Sequence, residues 1–387
     1  MPDAPMPDDN HPGHPAEPVA NLYPADRLRT AREATARAGL DALLISPGAD
    51  LRYLTGYDAL PLERLTCLVL PADNDPFLLV PALEESAAQA SPAGALGIEI
   101  TGWHETDDPY ALVAARLPAR TARLGVDNHM WAEKTIAFRT ALPGAHQELA
   151  GSVLNELRMR KTPQEAAALR RAGAAIDRVH ARMGEWLRAG RTEREVGRDI
   201  ADAIIAEGHV RVDFVIVGSG PHSASPHHDL SDRTIRPGDP VVVDIGGTTQ
   251  DGYCSDSTRV YATGEPPADF RRLHDVLLRA QCAQTDAVRP GITAERLDSI
   301  GRDIISDAGY GPYFIHRTGH GIGLESHEEP YIVAGNGLPL EPGMAFSVEP
   351  GIYLADRYGA RIEDIVICTE DGGERLNRTV RDLVVLP

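Results

Sequence analysis

The segment Pro237-Gly-Asp-Pro-Val-Val-Val-Asp244 has a counterpart further along the chain, Pro342-Gly-Met-Ala-Phe-Ser-Val-Glu349. In both, a Pro-Gly turn precedes an apolar strand that ends on a carboxylate. The two acids lie 105 residues apart (349 − 244), as do the two glycines (343 − 238). The agreement of turn, strand and acid indicates a duplicated domain, in which helices wrap a curved antiparallel sheet and acids from both halves meet centrally.

Helix signals support the same repeat. Thr162-Pro-Gln-Glu165 and Thr192-Glu-Arg-Glu195 are capping boxes that open two helices, which we expect to run to Gly190 and Gly208. Two further helical patterns follow about one period later, over Ala268–Val288 and Thr293–Ala308.

The N-terminal part of the chain has a different pattern, in which short apolar runs alternate with helical ones. The predicted strands are Ala42–Ser46, Cys67–Leu70 and Pro76–Val80, and the predicted helices are Arg27–Gly39 and Tyr110–Leu117. We therefore predict an α+β protein with a leader over residues 1–20, an α/β domain over residues 21–154, and a catalytic domain over residues 155–387.

The bulk composition excludes several classes of protein. Lys+Arg total 38 against 57 Asp+Glu, and the resulting net charge of −19 disfavours binding to nucleic acid or to anionic membranes. The leader has no apolar signal-peptide core, and no segment has the length of apolar residues that spans a bilayer. The four cysteines are widely spaced, which favours a reducing cytoplasm.

Five residues carry the expected chemistry: Asp244, Asp256, His320, Glu349 and Glu363. Four carboxylates and one imidazole form an oxygen-rich ligand set suited to two divalent ions that share a water molecule. The Gly246-Gly247 and Asp251-Gly252 pairs predict a hairpin that brings the first two aspartates together. The simplest interpretation is a metal-dependent hydrolase.

Histidines cluster in two segments near these acids. His316, His320 and His327 lie within twelve residues, and His227-His228 ends a Gly/Pro/Ser-rich loop one repeat earlier. We expect His320 to be a ligand, with His316 and His327 handling protons or supporting it, and the earlier loop to form the opposite wall of a cleft.

Arg361 alternates with Glu363, so period two places both side chains on one sheet face. Arg361 either braces a glutamate or forms a surface ion pair. Asp364 is expected to point outward.

At these residues the chain resembles the proline-peptide branch of the pita-bread metallopeptidases, Xaa-Pro dipeptidase (prolidase) and aminopeptidase P. The resemblance covers about residues 157–386. The matching stretches are Ser219-Gly-Pro…Pro226-His227, Asp244-Ile-Gly-Gly…Asp256-Ser-Thr-Arg259, His316-Arg-Thr-Gly-His320…His327-Glu, Val348-Glu349-Pro-Gly-Ile-Tyr353 and Arg361-Ile-Glu363-Asp364. The N-terminal part is similar to the creatinase-type lobe in size and order only.

The resemblance implies a role for each site residue. Asp244 would bind one ion, Asp256 and Glu363 would bridge two, and His320 and Glu349 would bind the second. The ions, Mn, Co or Zn, would activate a water molecule to attack an Xaa-Pro bond. Glu349 would also carry the proton, and Arg361 is counted with the catalytic group. His227, His316 and His327 would face the substrate, with His227 and His327 holding the carbonyl oxygen. Substrates would be proline-containing dipeptides or oligopeptides, and the family habit is a homodimer.

Two features depart from that family pattern. The two aspartates lie twelve residues apart (256 − 244) where eleven is common, and we expect the extra residue to bulge at the hairpin tip. Dipeptidases often place an arginine for the substrate carboxylate before Glu349, and residues 328–346 contain none. Arg361 or the other subunit could serve instead, or the enzyme could act on longer peptides. A metal-dependent lyase and a non-enzymatic binding module are the other open alternatives.

Overall fold

The computed structural model describes residues 22–387, so the predicted leader lies outside the described part of the chain. The N-terminal part forms one mixed sheet with helices on its faces. Its strands are β1 (Ala42–Ile45), β2 (Cys67–Pro71), β3 (Phe77–Pro81), β4 (Glu99–Trp103), β5 (Arg123–Val126) and β6 (His146–Leu149). Its helices are α1 (Ala25–Arg37), α2 (Ala49–Thr55), α3 (Glu85–Ala90), α4 (Pro109–Arg116), α5 (Ala132–Ala141) and α6 (Gly151–Met159).

The six strands lie in the order β4-β3-β2-β1-β5-β6 and are buried on both faces at the centre. Leu43 packs in one apolar cluster with Leu51 and Leu54, whereas Leu44 packs in the opposite cluster with Phe138. Successive side chains of a strand point to opposite faces, so a continuous apolar run is what a sheet covered on both sides requires. The predicted buried strands and the two predicted helices of this domain are confirmed.

The C-terminal part contains eleven strands and four long helices. The strands are β7 (His209–Ser219), β8 (Pro240–Thr249), β9 (Cys254–Thr263), β10 (Gly319–Gly321), β11 (Glu328–Ile332), β12 (Ala345–Val348), β13 (Gly351–Leu354), β14 (Tyr358–Arg361), β15 (Asp364–Thr369), β16 (Gly372–Arg375) and β17 (Val384–Leu386). The helices are α7 (Pro163–Ala181), α8 (Glu193–Ala206), α9 (Ala268–Ala287) and α10 (Ala294–Asp307).

The duplication predicted from the sequence is visible in the order of these elements. Two helices precede β8 and two precede β12, and the sheets run β17-β9-β8-β7 and β11-β10-β12-β15-β16, with β13 and β14 as a separate hairpin. Pairing is antiparallel except between β17 and β9. Gly238 and Gly343 have φ of +81° and +92°, and both follow Pro in a hydrogen-bonded turn, so each half enters its strand through a type II turn.

Both predicted capping boxes are present, since Thr162 and Thr192 each accept a hydrogen bond from the backbone N–H three residues on. The prediction that the first helix continues to Gly190 is wrong. Helix α7 ends at Ala181. Gly184, three residues further on, has a low helix propensity and does not favour continuation of the helix. Leu187 is buried because the chain after α7 continues to pack on the same apolar core. The apolar spacing in the sequence therefore extends beyond the end of the helix.

The hairpin between β8 and β9 places the first two aspartates. Its pairing runs without a register shift from Pro240–Ala262 to Thr248–Cys254, and Gly246 pairs with Asp256. Asp256 is therefore diagonal to Asp244 on one face. Gly246-Gly247 lies inside β8 and marks no turn, contrary to expectation. The tip is Gln250–Gly252, where Gly252 has a φ of +89°. That this tip accommodates the extra residue stays a prediction.

No helix among residues 22–387 combines the length and apolarity that crossing a bilayer requires.

Gly319 lies in β10 next to His320, where β10 packs closely against β12. A Cβ atom there would lie 1.9 Å from the carbonyl oxygen of Ser347, so Gly319→Ala must push β10 away from β12. We expect a loss of about 1–3 kcal/mol in the free energy of unfolding, measured by urea titration. The control is Gly337→Ala, whose Cβ would meet nothing within 4 Å and whose effect should stay within about 0.5 kcal/mol. Equal effects of the two variants would contradict this packing.

Candidate metal centre

All five predicted ligands line one cavity of about 640 Å³ in the C-terminal domain. They come from β8, β9, β10 and the ends of β12 and β14, so both halves of the duplication contribute. The other side chains around the cavity are those of Arg194, Phe214, Val215, Ile216, His227, His228, Asp229, Leu230, His327 and Arg361. The structure thus brings together residues spread over more than a hundred positions of the chain.

His320 is at the centre of the cluster. Its Nε2 atom lies 3.1 Å from Glu349 Oε1 and 3.8 Å from Asp256 Oδ2. One ligand atom each from His320, Asp256 and Glu363 lies within 4.8 Å of the others. The Nδ1 atom of His320 lies 3.1 Å from the carbonyl oxygen of Gly321, and a proton held on Nδ1 by this oxygen would leave Nε2 available to a metal ion.

Two hydroxyl groups orient the glutamates. Ser347 donates a hydrogen bond of 2.8 Å to Glu349 and also accepts one of 3.0 Å from the backbone N–H of His320. Thr258 donates a hydrogen bond of 2.7 Å to Glu363. Because these hydroxyls lie on strands, the ligand atoms are held by the sheet itself.

Arg361 is buried and contacts Asp244 Oδ2, so the alternative of a surface ion pair is wrong. Its guanidinium also donates to Tyr353 Oη at 2.8 Å and to the carbonyl oxygen of Pro226 at 3.2 Å. Asp244 Oδ1, by contrast, is buried and has no hydrogen-bond partner among residues 22–387. An unpartnered buried carboxylate oxygen is unfavourable unless a cation contacts it, and an oxygen-rich donor set suits a hard divalent ion. The residues present therefore fit a metal.

The electrostatics point to the same requirement. Burial raises the pKa of Asp256 and of Glu363 well above the ordinary range, and the neighbouring carboxylates add to the rise. Burial also raises the pKa of Asp244, although Arg361 opposes the change. For Glu349 the effect of burial is outweighed by the hydrogen bond and charge of His320, which lower its pKa to about 2. Three buried carboxylates and the largely buried Glu349 lie near one arginine, and all four need further positive charge to ionise together.

The remaining predicted histidines fall into two groups. His227 and His327 line the cavity, and the ring of His327 lies edge-on to that of His320 with centroids 4.0 Å apart. Burial, together with the charge of His320, lowers the pKa of His327 to about 4, so this ring is neutral near pH 7. His316 instead lies behind Tyr353, whose hydroxyl is 3.0 Å from its Nε2. Direct contact between His316 and substrate stays a prediction.

Sequence reasoning missed the support beneath the ligands. Asp364 was expected to point outward, but it is fully buried and accepts hydrogen bonds from Arg259 at 2.7 Å, Arg375 at 2.8 Å and Gln281 at 2.9 Å. Arg259 also donates to the backbone carbonyl of Glu363, so this pair fixes the segment that carries a ligand. The available signal was the Arg itself, three residues after Asp256.

A second missed feature is a buried ionic cluster between the two domains. Arg158 donates to Asp50 of the N-terminal domain at 2.8 Å and also contacts Glu328, which Lys161 contacts from the other side. Glu328 directly follows His327 in the chain. Arg158 and Lys161 thus anchor the start of β11, the strand next to a cavity histidine.

The comparisons with known proteins agree with this architecture. Residues 167–370 match the model of metallopeptidase family M24, and residues 27–160 match that of the creatinase/prolidase N-terminal domain. The chain is thus a metallopeptidase with a pita-bread catalytic domain. It belongs to metallopeptidase family M24.

Relatives of known name lie within that family. A probable dipeptidase PepE of Mycobacterium tuberculosis is 55% identical over 95% of this chain and 98% of its own length. An Xaa-Pro dipeptidase of Lactobacillus helveticus is 39% identical over 90% of this chain and 95% of its own. The crystal structure of dipeptidase PepE from Mycobacterium ulcerans superposes with a TM-score of 0.90 at 54% identity, over 94% of this chain and 98% of that one. The prolidase of Thermococcus sibiricus gives 0.86 at 36% identity, over 93% and 98%.

The raised carboxyl pKa values predict that metal binding releases protons. In the metal-free chain Asp256 and Glu363 keep their protons to a higher pH than ordinary carboxyl groups, and an incoming cation must displace them. The apparent affinity should therefore fall as the pH is lowered. Titration calorimetry with Mn²⁺ in buffers of different ionisation enthalpy should show proton release in mildly acidic solution and less in alkaline solution.

The control for this titration is Asp303→Asn, which changes an exposed carboxyl group. It should leave the number of released protons unchanged. An affinity that is independent of pH, with no proton release, would show that these two carboxyl groups do not receive the metal.

Proposed function

We propose that the chain is a dinuclear metal-dependent peptidase that hydrolyses Xaa-Pro bonds, and that its preferred substrates are dipeptides. The observation that carries this proposal is the cluster of His320 with three buried carboxylates and the largely buried Glu349, in a cavity where Asp244 Oδ1 has no hydrogen-bond partner among the described residues. The names of the Lactobacillus and Thermococcus relatives supply the proline specificity.

The ligands are assigned as follows. Asp244 would hold one ion, Asp256 and Glu363 would bridge the two, and His320 and Glu349 would hold the second. Manganese, cobalt and zinc all suit this mixture of oxygen and imidazole donors. When bound, the two ions supply Lewis acidity and an acidified water molecule.

The protein itself moves the proton and holds the carbonyl group. Glu349, kept ionised by His320, is the group that takes a proton from the attacking water and delivers it to the proline nitrogen. The neutral ring of His327, with His227 nearby on the cavity wall, donates hydrogen bonds to the carbonyl oxygen as negative charge develops there. Arg361 holds Asp244 and Tyr353 in place, and it therefore acts as a positioning residue.

A tertiary amide suits this cavity because an Xaa-Pro bond has no N–H for the enzyme to satisfy. Phe214, Val215 and Ile216 of β7 add an apolar wall that could cover a pyrrolidine ring. Aminopeptidase P activity on longer peptides is the second candidate, because Arg361 is already engaged by Asp244, Tyr353 and Pro226 and so is a poor receptor for a dipeptide carboxylate.

A substrate panel tests this proposal. With added Mn²⁺, the chain should hydrolyse Met-Pro and Leu-Pro at least about tenfold faster than Met-Leu, as measured by chromatography of the released N-terminal amino acid. A longer peptide that begins with Leu-Pro separates the two candidates, because faster cleavage of it than of Leu-Pro would favour the aminopeptidase. Glu349→Ala serves as the blank, since it removes both a ligand and the proton carrier. Failure to cleave any proline peptide would refute the proposal.

His227 and His228 are neighbours with different surroundings, so they provide a matched pair. Both side chains border the cavity, but Nε2 of His228 lies 2.8 Å from the buried Glu193, which holds this ring against α8. His227→Ala should lower kcat/KM by about 100-fold, as expected for the loss of a group that stabilises developing charge. His228→Ala should be much milder. Steady-state kinetics on Leu-Pro decide the point, and the reverse order of effects would assign the wrong neighbour to the carbonyl.

The cellular setting is part of the same proposal. The widely spaced cysteines support a reducing cytoplasm, and the habit of the family supports a homodimer.

A further inference from the structure

A second group of potential metal ligands lies outside the five-residue set. Glu193 begins α8, and its fully buried carboxylate faces the loop that carries His227. Oε2 of Glu193 lies 3.0 Å from Nδ1 of His222 and 2.8 Å from Nε2 of His228. The two imidazole rings lie 4.3 Å apart, centroid to centroid. Three donors from two separate chain segments thus converge on one point.

We propose that Glu193, His222 and His228 bind one divalent ion of the zinc type. Two imidazole nitrogens and one carboxylate oxygen are ligands that Zn²⁺ accepts in a tetrahedral site. Metal–ligand bonds of 2.0–2.1 Å place ligand atoms about 3.3 Å apart, so the observed 2.8 and 3.0 Å require only a few tenths of an ångström of opening. The three donor atoms all lie within 4.8 Å of one another.

Hydrogen bonds from neighbouring serines fix the orientation of the Glu193 carboxylate toward the two histidines. Ser219 donates to Oε1 through both its backbone N–H, at 2.8 Å, and its hydroxyl, at 2.7 Å. Ser231 donates to Oε2 at 2.5 Å. These hydrogen bonds fix the plane of the carboxylate. Burial raises the pKa of Glu193, but the hydrogen bonds outweigh burial and lower that pKa to about 2, so the carboxylate is ionised near neutral pH. The side chain of His222 is 37% exposed, which leaves a path for the ion and for a water molecule as fourth ligand.

The position of this site suggests its effect. An ion there would tie the first turn of α8 to the loop that carries His222, His227 and His228. That loop forms one wall of the substrate cavity, so the ion would stiffen the wall without contacting the reacting atoms. The proposal concerns binding and loop stability, and it does not depend on the peptidase assignment.

The test first removes the two carboxylates that are proposed to bridge the catalytic ions. In a full-length background with Asp256→Asn and Glu363→Gln, and with the leader residues His11 and His14 changed to Asn, Zn²⁺ alone is titrated by calorimetry. Equilibrium dialysis with elemental analysis gives the number of ions bound. We expect about one zinc ion per chain. His222→Asn in the same background should weaken that binding at least about tenfold.

The matched control is His104→Asn, which removes an exposed histidine and should change nothing. Melting temperatures in EDTA verify that each variant folds, and Glu193→Gln provides a second disruption should His222→Asn melt early. Zinc should raise the melting temperature of the background chain and not that of His222→Asn. The proposal is overturned if no zinc binds stoichiometrically, or if it binds equally well without His222. Because the background lacks two catalytic carboxylates, neither result bears on Xaa-Pro cleavage.

Discussion

The structure depends on one electrostatic constraint, which is that three buried carboxylates and the largely buried Glu349 surround a single cavity. Arg361 is in contact with Asp244, and this one arginine does not supply enough positive charge for Asp244, Asp256, Glu349 and Glu363 all to be ionised together. The chain has two responses to this constraint. The raised pKa values of Asp256 and Glu363 favour their protonated forms, and one oxygen of Asp244 has no hydrogen-bond partner in the part of the chain that the structure describes. Divalent cations would replace the protons on the carboxyl groups and would contact the free oxygen of Asp244. The fold already holds these side chains close together, so binding the cations would require little rearrangement.

The duplicated scaffold explains how acids so distant in sequence come together. Each half brings its strand in through a Pro-Gly turn, but the strands end differently: β8 carries Asp244 within its length and continues to Thr249, contrary to the prediction, whereas β12 ends at Val348, just before Glu349. The hydroxyl of Thr258 on β9 then orients Glu363, and the hydroxyl of Ser347 on β12 orients Glu349, which follows the same strand. Close approach of β10 and β12, which Gly319 permits, completes the arrangement around His320.

Much of this could be predicted from the sequence because the signals are local. Capping boxes, buried strand runs and the repeat of turn, strand and acid each depend on residues near one another in the chain. The length of helix α7 was predicted wrongly because the apolar periodicity continues past the end of the helix, as far as Leu187. The double glycine at Gly246 was taken for a turn because a sequence does not show that Phe214 packs where a Cβ would be.

The supporting contacts could not be predicted, since they depend on pairs far apart in sequence. Arg259 and Asp364 are separated by 105 residues, and Arg158 meets Glu328 across 170. Period two correctly separated Asp364 from the ligand face, but it could not show that the opposite face is also buried. The Glu193 cluster was overlooked for the same reason, because its carboxylate precedes its histidines by a helix and a strand.

The central claim is that a pair of cations occupies the carboxylate cluster. The most direct measurement is a crystal structure grown with Mn²⁺, with anomalous diffraction recorded at the manganese edge. We predict two anomalous peaks in the cavity, both contacted by Asp256 and Glu363. A cavity that stays empty at saturating Mn²⁺, or side chains that point away from the peaks, would contradict the account.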